Sequence, residues 1–233
     1  MEEPGVIRVR HECLKDVFCF SLPQLCPACG ERLAGRRLRE PPVSIPNPLC
    51  DGYKTPCCLL VAPADRNADR DFDGTSELHT GIANTSGVVY NYTERGVVRD
   101  QSGWLGCVSV PLVRPDTFHL LAQWDRYLEQ FSRGPLWDPT WHSFAEDSHN
   151  CLTFCVEFIN GALAAEGPGR GPASRDAFAR TRILPAVSRA CEFAALCRHL
   201  RRRQFYVADG RPARATSSSS SRIRTLRDED RDF

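Results

Sequence analysis

The chain reads as an α+β protein, an antiparallel sheet packed on a helix that carries a nucleophilic residue type, with a small cysteine-rich segment ahead of it. Three observations predict this. Residues 148–166, SHNCLTFCVEFINGALAAE, set Cys151, Phe154, Cys155, Phe158, Ile159, Ala162 and Leu163 at the three- and four-residue spacings of a helix with one buried face. Residues 77–96, ELHTGIANTSGVVYNYTERG, put β-favouring runs at 78–83 and 88–92 on either side of a turn over Asn84, Thr85, Ser86 and Gly87, which is a hairpin signature. Residues 5–62 are rich in cysteine and proline, with short apolar pieces, so short strands and loops are expected there.

With 233 residues the chain can bury a substantial core without disulfide staples, and 30 basic against 29 acidic side chains leave no overall field to recruit nucleic acid or an anionic membrane. The opening MEEPGVIRVRHE has charges where a signal peptide carries an apolar core, and no apolar run approaches spanning length. The expected setting is therefore intracellular, cytoplasmic or nuclear, with neither secretion nor a membrane span. In a reducing compartment the 12 cysteines are thiols, and close pairs read as metal or redox sites before disulfides.

Taken in order, the segment 5–62 has strand-like pieces at 6–9, 17–20 and 59–61. Its specific feature is CPACG, where Cys26 and Cys29 flank Pro27 and Ala28 and Gly30 follows, the knuckle shape in which two sulfurs converge on zinc. Two more ligands are needed, and His11, Cys13, Cys19, Cys50, Cys57 and Cys58 are available. Cys13, Cys26, Cys29 and Cys57 are taken as the set, with a structural zinc as the one cofactor expected; the competing reading is a turn with two inert thiols. Pro41, Pro42, Pro46 and Pro48 keep the next stretch extended.

Residues 63–209 read as a domain ending in a helix. A polar surface loop at 64–76 leads into the hairpin, and strand-like residues follow at 105–113. DTFHLLAQWDRYLEQFS is an amphipathic helix with Asp116 as N-cap and Leu121, Trp124, Leu128 and Phe131 on one face. An aromatic loop with Trp137, Trp141 and Phe144 precedes the Cys151 helix, whose start Ser148 or Asn150 can cap. After a Gly/Pro-rich break at 166–172, a helical pattern runs through Phe178, Ile183, Leu184, Val187, Cys191, Phe193 and Leu196, and Arg201, Arg202 and Arg203 suit its negative end. Residues 210–233, with serine runs and mixed charge, read as a disordered tail.

The chemistry follows from placement. Cys151 falls in the first turn of its helix, where unpaired N–H groups and the positive end of the dipole favour a thiolate. It needs a base. Of the 6 histidines, His119 and His199 have surface positions, and His149 is expected to cap or face solvent. His79 opens a strand, a rigid mount for an imidazole that must meet a helix-terminal sulfur. Asn91, on the neighbouring strand, would complete the thiol, imidazole and amide arrangement in which the third group fixes the tautomer of the second. Strand parity allows two outcomes: with His79 opposite Tyr92, Asn91 points to the other face, whereas a one-residue shift or a bulge brings it alongside.

HTGIANTSGVVYN, from His79 to Asn91, resembles the histidine strand, hairpin and second polar residue of the lecithin:retinol acyltransferase-like family, with Asn91 where that family has a second histidine. Asn150-Cys151-x-x-Phe154 resembles the same family's Asn-Cys-x-x-Phe nucleophile motif and is similar to the nucleophile region of PPPDE-type peptidases. Both groups share a circularly permuted papain-like fold in which histidine precedes cysteine. The resemblance covers residues 76–165 and implies that fold, with Cys151, His79 and Asn91 as the catalytic residues.

Three functional readings follow. In the first, Cys151 attacks an acyl or peptide carbonyl, His79 takes and returns the proton, Asn91 orients the ring, and N–H groups at the helix start hold the oxyanion: a thiol hydrolase or acyltransferase whose partner is an acyl substrate or a protein. In the second, the fold persists as an inactive scaffold or interaction module. In the third, the N-terminal segment acts as a zinc-dependent protein-binding module.

Overall fold

A computed structural model describes residues 5–33, 38–64, 72–113, 118–164 and 174–209. The expected Asp116 cap, most of the polar loop, the break at 166–172 and the tail at 210–233 lie outside these residues. The strands, in chain order, are β1 (Val6–Arg10), β2 (Lys15–Cys19), β3 (Val43–Ile45), β4 (Leu49–Asp51), β5 (Cys58–Pro63), β6 (Leu78–Ala83), β7 (Val89–Thr93), β8 (Gly96–Asp100), β9 (Leu105–Pro111) and β10 (Phe205–Asp209). The helices are α1 (Phe118–Ser132), α2 (Cys151–Ala164), α3 (Arg175–Phe178) and α4 (Leu184–Arg203). The class is mixed α and β with antiparallel sheets. Two compact units form, one from the chain before Pro48 and after Cys191, the other from Pro48–Cys191.

In the first unit the sheet order is β10-β2-β1-β3, and each pair is antiparallel. Side-chain alternation splits its apolar residues between two faces. Val6 packs with Phe193, Leu196, Cys197 and Leu200 of α4, while Val17 packs with Cys26 and Leu33 on a separate cluster. β10 was not foreseen from the sequence. Between the three arginines and its FYVAD run stands Gln204, whose φ of +67° makes the reversal that lets the strand return antiparallel to β2.

In the second unit the order is β4-β9-β5-β6-β7-β8, antiparallel throughout. β5 is central and covered on both faces, which is why CLLVAP reads as an unbroken apolar run. Leu59 and Val61 join Ile82, Tyr90, Tyr92, Val108 and Val110 in the main core, against α1 and α2. Leu60 and Ala62 face the other way, with Ala83, Val89, Trp104 and Cys107. From the helices come Trp124 and Leu128 of α1 and Phe154, Phe158 and Ile159 of α2; Trp124 and Phe158 meet edge to face at 5.0 Å, and the indole N–H of Trp124 donates to the Ala83 carbonyl at 2.9 Å. Each fully buried side chain of this size contributes about 1.5–3 kcal/mol.

Among the described residues, no helix is long and apolar enough to cross a membrane. Between α3 and α4 the helix widens into one π turn over Ala179–Ile183, with the N–H of Leu184 reaching back to the Ala179 carbonyl. Pro185 explains it. Its ring has no N–H to give to the preceding turn and clashes with an α-helical carbonyl there, so the backbone opens by one residue.

Candidate active site and metal cluster

The hairpin decides where His79 points. Asn84 N–H donates to the Val88 carbonyl at 2.9 Å, the Asn84 side-chain oxygen accepts from the N–H groups of Ser86 and Val88, and Gly87 adopts φ +83°. A Cβ at Gly87 would stand 2.2 Å from the Tyr53 carbonyl oxygen, so this turn requires glycine. The turn sets Ala83 opposite Val89 and Ile82 opposite Tyr90. Continued, this register places Gly81 across from Asn91, so Asn91 shares a face with His79. Of the two parities open in the sequence, this is the one that brings them alongside.

Cys151 comes from the other direction. Asn150 caps α2: its carbonyl accepts from Phe154 N–H at 3.0 Å and its side-chain oxygen accepts from Thr153 N–H at 3.0 Å. Cys151 is thus the first helical residue, and the N–H groups of Cys151 and Leu152 have no partner within the helix. Pairing of β6 with β7 stops at Ile82 and Tyr90, although β6 stays paired with β5 as far as Leu78. Beyond that point Cys151 lies beside His79 and Thr80, and the imidazole together with the Thr80 hydroxyl and backbone favours its thiolate. The helix therefore meets β6 where β7 has parted from it, and two consecutive residues that alternate across a sheet reach one sulfur.

His79 Nε2 and Asn91 Oδ1 are 2.8 Å apart. The protonation pattern follows from what lies behind Asn91. Its amide nitrogen donates to Asp100 Oδ2 at 2.8 Å and to the Val98 carbonyl at 3.4 Å, both acceptors, so the amide oxygen must face the ring. Nε2 is then the donor to Asn91, which leaves Nδ1 as the ring nitrogen available to the cysteine. Asp100 Oδ2 also accepts from the Trp104 indole N–H at 3.1 Å, and that indole lies beside the imidazole with ring centroids 5.9 Å apart. Gly81 makes room for it, since a Cβ there would come within 3.1 Å of the Trp104 ring and 2.7 Å of Val89.

Burial pushes the Cys151 thiol up, but the hydrogen bond and positive charge of His79, with the bonds from Thr80, outweigh it and hold the thiol below the ordinary cysteine value. Cys155, one turn on, is pushed up instead by burial and by the neighbouring Cys151, against its bond to Thr80. Cys151 is 8% exposed and His79 is half-buried. His149 does not face solvent as expected: its ring stacks on Trp137 at 4.9 Å and meets Tyr92 edge-on.

The first unit holds a different cluster. Two turns face each other: the β1–β2 reversal carries His11 and Cys13, with Leu14 at φ +64°, and the CPACG knuckle closes with Gly30 N–H on the Cys26 carbonyl at 2.8 Å and Cys26 N–H on the Glu31 carbonyl at 2.7 Å. The ligand atoms of His11, Cys13, Cys26 and Cys29 all lie within 4.8 Å of one another, a donor set that could hold a metal ion. The Cys13 and Cys26 sulfurs are 3.9 Å apart, and the Cys29 sulfur is 3.4 Å from His11 Nδ1. Cys57, chosen from the sequence as the fourth ligand, is not in this group. It lies in the main core of the second unit, where burial pushes its thiol up to about 11, and His11, just after β1, is the fourth residue grouped with the three cysteines. Sequence proximity to Cys13 and the strand hydropathy before His11 were the signals for it. Nothing local marks Asp100, the last residue of β8, or Trp104, four residues beyond it.

Residues 42–200 match the family model for the DUF4796 C-terminal region, and residues 4–33 match the DUF4796 N-terminal model. Over 205 residues, 88% of this chain and 90% of the other, the sequence is 41% identical to the human MKRN2 opposite strand protein. No solved structure matches the chain.

Proposed function

We propose that this chain, which belongs to the DUF4796 family, is a cysteine-dependent acyl hydrolase or acyltransferase built on a permuted papain-like fold. The observation that carries the reading is one imidazole bonded to Asn91, itself held from behind, and close enough to Cys151 to lower its thiol. In this reading His79 Nδ1 takes the Cys151 proton as the sulfur attacks an acyl carbonyl carbon. The imidazolium is stabilised by the Asn91 oxygen and returns the proton to the leaving group. N–H groups at the start of α2 stabilise the oxyanion. Water or an acceptor amine or alcohol then releases the thioester. The test is labelling with an electrophilic acyl probe: the wild-type chain reacts at Cys151, and Cys151→Ala loses the signal. Labelling of equal strength in that variant would sink the proposal and leave an interaction scaffold as the reading.

A second reading concerns the first unit, where His11, Cys13, Cys26 and Cys29 hold a structural zinc ion. Tetrahedral zinc with bonds of about 2.3 Å to sulfur and about 2.0–2.1 Å to nitrogen implies ligand edges of about 3.8 Å between sulfurs and about 3.5 Å between sulfur and nitrogen. The spacings of 3.9 and 3.4 Å fit those edges. The far side of the ring agrees: His11 is 1% exposed, and its Nε2, buried without a hydrogen-bond partner, lies 4.0 Å from a Glu31 carboxylate oxygen, the direction in which a zinc-bound histidine presents its N–H. Metal analysis of chelator-free protein, with and without Cys26→Ser and Cys29→Ser, tests it; metal content unchanged by both substitutions would overturn it.

A further inference from the structure

We propose that Cys50 and Cys107 form a reversible, peroxide-oxidisable dithiol, a modification site distinct from the metal cluster and from the proposed active site. The two residues sit directly opposite each other on β4 and β9, next to a register shift between Cys50 and Asp51. Opposed residues in an antiparallel pair have Cα atoms about 4.5–5.5 Å apart. That separation is within the span a disulfide bridges, roughly 4.4–6.8 Å. The sulfurs are 3.8 Å apart and share a hydrogen bond, so side-chain rotation rather than strand movement would bring them to bonding distance.

The pair is asymmetric in the way a sensor requires. Cys50 is half-buried on an edge strand of three residues, where a small oxidant can reach it, and Cys107 is fully buried behind it. The bond from Cys107, against the cost of burial and with help from the Thr55 and Ser109 hydroxyls, lowers the Cys50 thiol to about 6, while that same bond and burial push Cys107 up. Cys50 is thus the member that an oxidant reaches and Cys107 stands buried behind it, the arrangement of an attacking and a resolving cysteine. Cys58 shares this core but donates its S–H to the Thr55 carbonyl at 2.9 Å and is pushed by burial to about 12, so it stays a thiol. Metal binding is the weaker alternative for this pair. Among the described residues only the His11 group gathers three or more close metal-ligating side chains.

The oxidation balances with a hydroperoxide as co-reactant. The Cys50 thiolate attacks the peroxide, an S–O bond forms as the O–O bond breaks, and the departing oxygen takes a proton from solvent, leaving Cys50 as a sulfenic acid. The Cys107 sulfur then attacks the Cys50 sulfur. The S–S bond forms, the S–O bond breaks, and the hydroxide leaves as water with the Cys107 proton. Each sulfur is oxidised by one electron equivalent, the peroxide takes two, and a dithiol reductant reverses the change. The product ties edge strand β4 covalently to β9. It also removes the S–H that Cys107 gives the Trp104 carbonyl at 3.2 Å.

The experiment treats the full, metal-replete chain with hydrogen peroxide, blocks free thiols under denaturing conditions and maps peptides without reduction. The expected result is a Cys50–Cys107 linked peptide, lighter by two hydrogens than its parts and lost on dithiothreitol treatment. In Cys107→Ser the link disappears and a dimedone adduct at Cys50 rises by roughly tenfold, because the sulfenic acid has lost its resolving partner. Recovery of Cys50 and Cys107 as free thiols under conditions that oxidise the exposed Cys29 would overturn the proposal, and so would preferential linkage of Cys50 to Cys58. If Cys107→Ser does not fold, the wild-type map decides alone.

Discussion

The two units use the same pair of residue types, cysteine and histidine, in opposite ways. In the first, two turns bring three sulfurs and one imidazole nitrogen within 4.8 Å of one another, and His11 is 1% exposed. In the second, one sulfur at a helix start is lowered by one imidazole, and that imidazole is bonded to an amide, Asn91, whose own nitrogen is held by Asp100. In the proposed readings the first set of groups holds a cation and the second moves a proton. What separates the two chemistries is which third and fourth groups the fold brings in.

The sharpest way to break this contrast is to remove the metal. A chelator, or Cys26→Ser with Cys29→Ser, is expected to release about one metal ion per chain and to unfold the first unit, since a structural zinc contributes on the order of 10 kcal/mol. Circular dichroism melts with paired metal analysis would show it. Cys57→Ser should leave metal content unchanged and His11→Ala should lower it; the reverse outcome would restore the sequence-based ligand set.

Next in size is the histidine of the second unit. His79→Ala is expected to slow alkylation of Cys151 by about a hundredfold or more. The sign of the pH effect is fixed by the lowered thiol. In the wild type the reactive thiolate persists below the ordinary cysteine range and is lost as pH falls through the depressed value. Without His79 the burial cost remains while the compensating bond and charge are gone, so the inflection moves to higher pH. Identical pH–rate profiles for the two proteins would show that the imidazole does not address the sulfur.

A smaller effect should come from Asp100→Asn. The new amide can donate as well as accept, so Asn91 is no longer held in one orientation. A hydrogen bond to a charged group contributes about 1.5–3 kcal/mol, and its loss should slow Cys151 alkylation by on the order of tenfold while shifting the same inflection. A drop in melting temperature with an unmoved profile would make Asp100 structural only. Smallest is the cap: Asn150→Ala should lower the stability of the second unit by about 1 kcal/mol in denaturant melts.

Much of this second site was legible because its parts are local. The stripe from Cys151 to Ala162 marks a helix with the cysteine at its mouth, and the run from His79 to Asn91 marks a hairpin with a polar residue on each arm. α1 was legible too, although its buried face starts at Leu120 rather than Leu121. β8 and β10 were harder, because GVVRD and FYVAD are short runs whose strand state depends on finding an edge to pair with, at β7 and β2.

The sequence by itself determined the periodicities, and with them the helix that starts at Cys151, the hairpin after Leu78, the antiparallel α+β class and the knuckle at Cys26. Tertiary structure decided the rest: the register that sets Asn91 on the His79 face, the parting of β6 from β7 that admits the helix end, the grouping of His11 rather than Cys57 with Cys13, Cys26 and Cys29, and the meeting of Cys50 with Cys107. The reason is physical. Period and capping depend on neighbours a few positions away along the chain, whereas register and ligand sets depend on backbone hydrogen bonds and packing between segments far apart in sequence.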